Sequence, residues 1–278
     1  MIRIVAALLL LGTAAVQAQD LPQALRGTWA DGSCAAPGFA LHVTARSVVQ
    51  VRFHGEQRLW RARTVSDAGD WTVATAGGAE QPRLLLQRDT DALSFAQAEP
   101  KLRDDQLPGN PKPARLVPCP GLPLPLAALH GEGVAFLQGL ETLEPACGGD
   151  DAAGCVAAFM AYADVSRDER LAPAEVARAL RGAAWTVQLA GGTTEEALGA
   201  GIAVAAGSSV IVARLFVEAL DYEGRGSITA AALLQDRAPF PSAAAPRSAS
   251  ATPLPLERLS ESLGPLASLF GLLPDLLK

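Results

Sequence analysis

Short β-branched or aromatic runs fill residues 28–117 and give way near residue 122 to a helical pattern that continues to residue 220. The runs are Phe39 to Val43, Val48 to Phe53, Arg58 to Thr64, Asp70 to Ala74, Arg83 to Gln87 and Ala92 to Ala96. Turn material such as Ala35-Ala36-Pro37-Gly38, His54-Gly55, Ala68-Gly69 and Gly77-Gly78 separates them. Evenly spaced short strands with turn signals between them predict a small antiparallel sandwich, barrel or meander. Beyond it, the apolar spacing predicts helices over 133–143, 152–163, 173–189 and 194–220. The fold class expected is α+β in two domains, a small antiparallel β-barrel or meander followed by an all-α domain. The expected boundaries are 19–121 for the β domain, 122–130 for a Pro-alternating linker and 131–237 for the helices. A flexible Pro/Ala/Ser linker, 238–255, and an apolar helical tail, 256–278, complete the chain.

Residues 1–18 read as a signal peptide. Arg3 supplies a positive start, Ile4 to Leu11 an apolar run, and Ala15-Val16-Gln17-Ala18 the small residues before a cleavage site. The run is shorter than the roughly 20 residues a spanning helix needs. Three lysines against twenty arginines, with abundant Ala, Gly and Pro, suggest a bacterial gene of high GC content. A periplasmic or secreted protein is therefore expected. A net charge of −6 with no basic cluster argues against a nucleic-acid partner.

Export changes the reading of Cys34, Cys119, Cys147 and Cys155, since an even count in an oxidising compartment suggests disulfides. Four cysteines allow three pairings. Cys147 and Cys155 flank the Gly-rich stretch at 148–151, so a local bridge is natural, which leaves Cys34 to pair with Cys119.

One segment carries chemistry: Asp164-Val165-Ser166-Arg167-Asp168-Glu169-Arg170-Leu171-Ala172-Pro173-Ala174-Glu175. It resembles the calcium loop of the EF-hand family. Asp164, Ser166 and Asp168 fall at positions 1, 3 and 5, Leu171 at the apolar position 8 and Glu175 at position 12. The resemblance implies one weak Ca²⁺ site ligated by Asp164, Ser166, Asp168, the Arg170 carbonyl and Glu175. Glu169 stands where the family has glycine, at a turn that needs positive φ, which costs a non-glycine residue roughly 1 kcal/mol. Ala172 at position 9 offers no ligand.

A degenerate second loop begins at Asp221, 57 positions later (221 − 164). Asp221 and Glu223 hold positions 1 and 3, Gly226 position 6, Ser227 position 7 and Ile228 position 8. Arg225 at position 5 and Ala232 at position 12 argue against a cation there, and Arg225 is expected to lie where metal charge would be, paired with Asp221 or Glu223. The resemblance implies a pair of loops bridged through Leu171 and Ile228.

The β segment opens Arg26-Gly27-Thr28-Trp29, a weak resemblance to small lipocalin-like or inhibitor barrels, in which such a Trp closes one end. Trp29, Trp60, Trp71 and Trp185 are read as core, and His42 and His54 as ordinary barrel residues. No Gly-x-Ser-x-Gly, HExxH or P-loop occurs, so no enzymatic activity is expected. Residues 197–213 are uncharged and read as a buried, closely packed helix, with no transmembrane span after signal cleavage. The expected function is that of an exported calcium-binding, or formerly calcium-binding, module acting by interaction in the envelope. The alternative is a periplasmic partner-binding or inhibitor protein acting through its barrel, with the helices a metal-free scaffold. An unknown protein partner could be held by the tail 256–278 or by the barrel.

Overall fold

The computed structural model describes residues 20–77, 81–98 and 112–235. The expected signal peptide, the linker 238–255 and the tail 256–278 lie outside them. Eight antiparallel strands follow one another: β1 (Gly27–Asp31), β2 (Phe39–Val43), β3 (Ser47–Arg52), β4 (Glu56–Ala68), β5 (Trp71–Ala76), β6 (Arg83–Arg88), β7 (Leu93–Gln97) and β8 (Ala114–Cys119). Each pairs with its sequence neighbour, and β8 returns to β1, with Trp29 opposite Pro118. The result is a closed up-and-down barrel with no free edge along its length. The long strand β4 makes closure possible. Its first half pairs with β3 and its second half with β5, the register slipping between Ala62 and Thr64.

The barrel interior is filled with side chains. Trp29, Leu41, Val43, Val48, Trp60, Leu84, Leu86, Leu93, Phe95 and Leu116 form one buried cluster. A 3-10 turn, Gln23–Leu25, plugs one end. It places Leu21 and Leu25 in that cluster, and the Trp29 indole N–H donates to the Leu25 carbonyl at 2.8 Å. Trp71 is only half-buried and does not join this core. The Cys34–Cys119 and Cys147–Cys155 disulfides both form as expected.

Five helices follow: α1 (Leu124–Cys147), α2 (Ala152–Ala163), α3 (Pro173–Ala190), α4 (Glu195–Leu220) and α5 (Ala230–Leu234). Three two-residue strands lie between them, β9 (Arg170–Leu171), β10 (Thr193–Thr194) and β11 (Ile228–Thr229). Helix α1 opens nine residues before Gly133, so most of the segment expected as linker forms its first turns. Pro125 is tolerated there because the first turn has no intrahelical acceptor for its missing N–H.

The helices do not stand apart from the barrel. Ala40, Val49, Val51 and Leu59, on the outer wall of β2, β3 and β4, share one core with Leu126, Val134, Leu137, Leu140, Trp185, Leu189 and Leu198. Strand β10 adds to β4 through Thr193 and Gln57. Helices α1 and α3 cross closely. A Cβ on Gly133 would sit 2.0 Å from the Trp185 ring, and one on Gly182 would sit 2.4 Å from Phe136 Cβ.

A buried polar network closes the same interface. Glu141 accepts from Thr44 Oγ1 at 2.6 Å and Ser47 Oγ at 2.5 Å. Glu144 pairs with Arg61, and with Arg46 at 3.4 Å. Nearby, the His42 ring lies between Thr28 Oγ1, 2.9 Å away, and Gln138 Nε2, 3.2 Å away. His42 is therefore an interface residue, whereas His54 is exposed on a turn with Glu195 3.5 Å away. His130 is fully buried in α1 and accepts from the Trp185 indole N–H at 3.1 Å.

Helix α4 departs from the buried helix expected over 197–213. Leu198, Ser208, Ser209, Ala213 and Val217 are buried, but Val204, Val210, Ile211 and Leu215 on the other face are more than half exposed. By length and composition it is the one helix among the described residues apolar enough to cross a membrane.

Candidate functional site

Helices α2 and α3 flank the first loop, and α4 and α5 the second. Strands β9 and β11 join the loops in an antiparallel bridge that pairs Leu171 with Ile228 and Arg170 with Thr229. Leu171 and Ile228 are fully buried in a core with Met160, Val176, Val217 and Leu233. The apolar position of each loop thus anchors it to the helices on both sides, and the polar residues are left at the surface.

Loop one winds on its own carboxylates. Asp164 accepts from the backbone N–H of Arg167 at 2.6 Å, Asp168 at 3.2 Å and Glu169 at 2.8 Å, and from the Ser166 hydroxyl at 3.2 Å. Asp168 accepts from the Arg170 N–H at 3.1 Å. Glu175, in the first turn of α3, reaches back across the loop. Its Oε1 accepts from Val165 and Ser166 N–H, and its Oε2 from Ala172 N–H, each at 2.9 Å. Bringing Glu175 across the loop needs a sharp reversal at 167–169, and both Arg167 and Glu169 take φ of 61°. The positive φ at Glu169 was expected; the one at Arg167 was not.

These bonds set the charge state of the loop. Desolvation pushes the Asp164 carboxyl upward, but the N–H groups of Glu169, Arg167 and Asp168 and the Ser166 hydroxyl outweigh it and hold the group below the ordinary carboxylate range. Glu175 is lowered in the same way, desolvation being outweighed by the donors at Ser166, Ala172 and Val165. Both remain ionised at neutral pH.

Loop two follows the same scheme with fewer groups. Asp221 accepts from the N–H of Arg225, 3.0 Å away, and from that of Gly226. Arg225 pairs with Glu223 at 3.1 Å, as expected, and its side chain is 66% exposed. The cation that does cross the site is Arg170, which sequence reasoning considered only for its carbonyl. Its Nε donates to Ser227 Oγ at 2.6 Å, and its Nη2 lies 3.3 Å from the Ser227 carbonyl and 3.4 Å from Glu223. The signal was present in the bridge, where Arg170 and Ser227, each at position 7 of its loop, lie diagonally across the Leu171–Ile228 pair.

The proposed ligands Asp164, Ser166, Asp168, Arg170 and Glu175 thus sit on one loop, and Asp164, Ser166 and Glu175 share one knot of hydrogen bonds. The donor set suits a hard cation, being oxygen throughout. Both Glu175 oxygens are already committed to backbone N–H groups, so a bidentate ligand would have to turn away from Val165 and Ser166. Among the described residues, no group of three or more His, Cys, Asp or Glu side chains converges as a metal cluster. An open groove of about 450 Å³ lies beside the loop between α2 and α5, with Met160, Asp164, Glu169 and Thr229 on its walls.

No protein-family model matches this chain, and no curated protein or solved structure matches it.

Proposed function

We propose that the protein is an exported bacterial scaffold of the cell envelope, acting by binding, whose paired helix–loop–helix units are an EF-hand-like module with one weak calcium site in loop one. The observation that carries this reading is the bridge of Leu171 to Ile228, with Asp164 and Asp221 each winding its own loop from position 1. Asp164, Ser166, Asp168, the Arg170 carbonyl and Glu175 would hold the ion, and the ion would supply a structural clamp between α2 and α3. Loop two has no closing carboxylate, and Arg170 supplies the positive charge that links it to loop one. The two disulfides fit an oxidising compartment, as the signal-like start suggests.

The site is expected in the roughly 10⁻⁴–10⁻³ M range of extracellular modules, because Glu175 must give up backbone partners. Mass action then sets the test. At 10 mM Ca²⁺ a ligand of that affinity stabilises the fold by about 1.4–2.7 kcal/mol. Urea unfolding of the oxidised chain 19–278 should show that gain in wild type and lose it in Glu175→Gln. An equal midpoint with and without calcium would reject the site.

A further inference from the structure

The groove beside loop one has an apolar length and an acidic end. Ala157, Met160, Ala161 and Asp164 recur at three- and four-residue spacing, so they line one face of α2, and Asp164 caps its last turn. Thr229, Ala230 and Ala231, where α5 begins, form the other wall. Met160 is buried, whereas Ala157, Ala161 and Ala231 are exposed, so the short alanine side chains leave the methionine as the floor of an open channel. Glu169 completes the lining beside Asp164, to which its backbone N–H donates at 2.8 Å. Among the described residues that line the groove, two are acidic and none is basic.

The two carboxylates differ in what the fold asks of them. Asp164 is ionised and accepts from three backbone N–H groups and the Ser166 hydroxyl. Glu169 is exposed, and its carboxylate has no hydrogen-bond or ion-pair partner among the described residues. Arg170, next in the chain, is engaged elsewhere, with Ser227 and Glu223. The acidic end of the groove therefore keeps its negative charge, on a chain whose net charge is already −6.

We propose that this groove docks a basic segment of a protein partner, which lays the aliphatic stem of a lysine along Met160 and the alanines and sets its ammonium beside Asp164 and Glu169. Both halves of that side chain find their complement here. A lysine buries its four-carbon stem on apolar surface while its charged head stays at a wet, polar rim. From Ala157 to Asp164 the α2 wall rises about 10 Å, which accommodates the stem and the head in line. Charge complementarity selects the partner, because an acidic side chain would meet two carboxylates and a neutral one would leave them unanswered. The proposal rests on the reading of the chain as a protein that acts by binding, and it requires no calcium.

Met160 is the only methionine beyond Met1, so isotope labelling of methionine methyl groups in the oxidised chain 19–278 puts one nuclear magnetic resonance reporter on the floor of the groove. The titrations are run in EDTA, which keeps the outcome separate from that of the calcium site. Acetyl-Gly-Lys-Gly amide should shift the Met160 signal saturably, with a midpoint in the millimolar range. The same peptide with norleucine in place of lysine keeps the stem and lacks the charge, and it should bind about fivefold more weakly. Glu169→Gln alters an exposed side chain without a partner in the fold. It should weaken the lysine peptide about fivefold and leave the thermal transition in place. Equal affinity for the two peptides, or a lysine titration unchanged by Glu169→Gln, would overturn the proposal. So would a Met160 signal that neither peptide moves.

Discussion

Leu171 and Ile228, 57 residues apart (228 − 171), face each other across a two-strand bridge and are both fully buried. They are the only backbone ladder between the two helix–loop–helix units among the described residues, and they sit at the centre of the core that α2, α3, α4 and α5 share. Truncating Leu171 to Ala should cost about 2–5 kcal/mol, as other buried Leu→Ala changes do. Urea unfolding under oxidising conditions measures it. A loss below 1 kcal/mol would show that the bridge is peripheral.

Arg61 joins the barrel to α1 through Glu144 and Glu141, all three side chains being less than a tenth exposed. Removing one partner of a buried ionic network costs more than removing both. Arg61→Met should therefore destabilise by about 3 kcal/mol. Adding Glu144→Gln should recover part of that loss, which a double-mutant cycle resolves.

His42 and His130 are both held near pKa 4 by burial, against an ordinary value of 6.5. A histidine whose folded pKa is depressed binds its proton more readily when unfolded. Stability is then complete above about pH 6.5 and falls as pH drops toward 4, by up to about 3 kcal/mol for each residue. Asp164 and Glu175, also depressed, act lower. Their contribution is present above the ordinary carboxylate range and is lost as pH falls through their folded values. Unfolding free energies at pH 7, 6, 5 and 4 should show the first decline. His42→Gln should flatten it by about half.

Glu169 holds φ of 61°, a conformation that glycine adopts without strain. Glu169→Gly should stabilise the chain by about 1 kcal/mol and leave the Asp164 acceptor geometry intact, since the bond uses the backbone N–H. Thermal denaturation of the variant checks the sign.

Much of this was legible in the residues. Turn spacing placed six of the eight barrel strands to within a few positions, with no separate run for β1 or β8, and Pro173 marked the start of α3. What was missed is the docking of the helices on the barrel. Its signal lay in β2, where Phe39 to Val43 is buried on both faces. The poor alternation at Leu41-His42-Val43-Thr44 meant two covered faces, a pattern typical of strands inside a layered fold. Glu141 and Glu144, three apart on one turn of an apolar helix, were the other unread sign, because a buried carboxylate demands partners. The outward face of α4 was misread for the opposite reason. Uncharged sequence alone does not tell which side of a helix the rest of the chain reaches. In the site, the two loops and the bridge between them were what the resemblance implied, while the reach of Arg170 across to Ser227 needed the geometry.

The claim that loop one is a calcium site is tested most directly by calorimetry of the oxidised chain 19–278 with Ca²⁺, beside Glu175→Gln and Asp164→Asn. The expected result is one site with a dissociation constant of roughly 10⁻⁴–10⁻³ M, abolished by either substitution. No binding heat up to 10 mM calcium, with the fold intact, would contradict it.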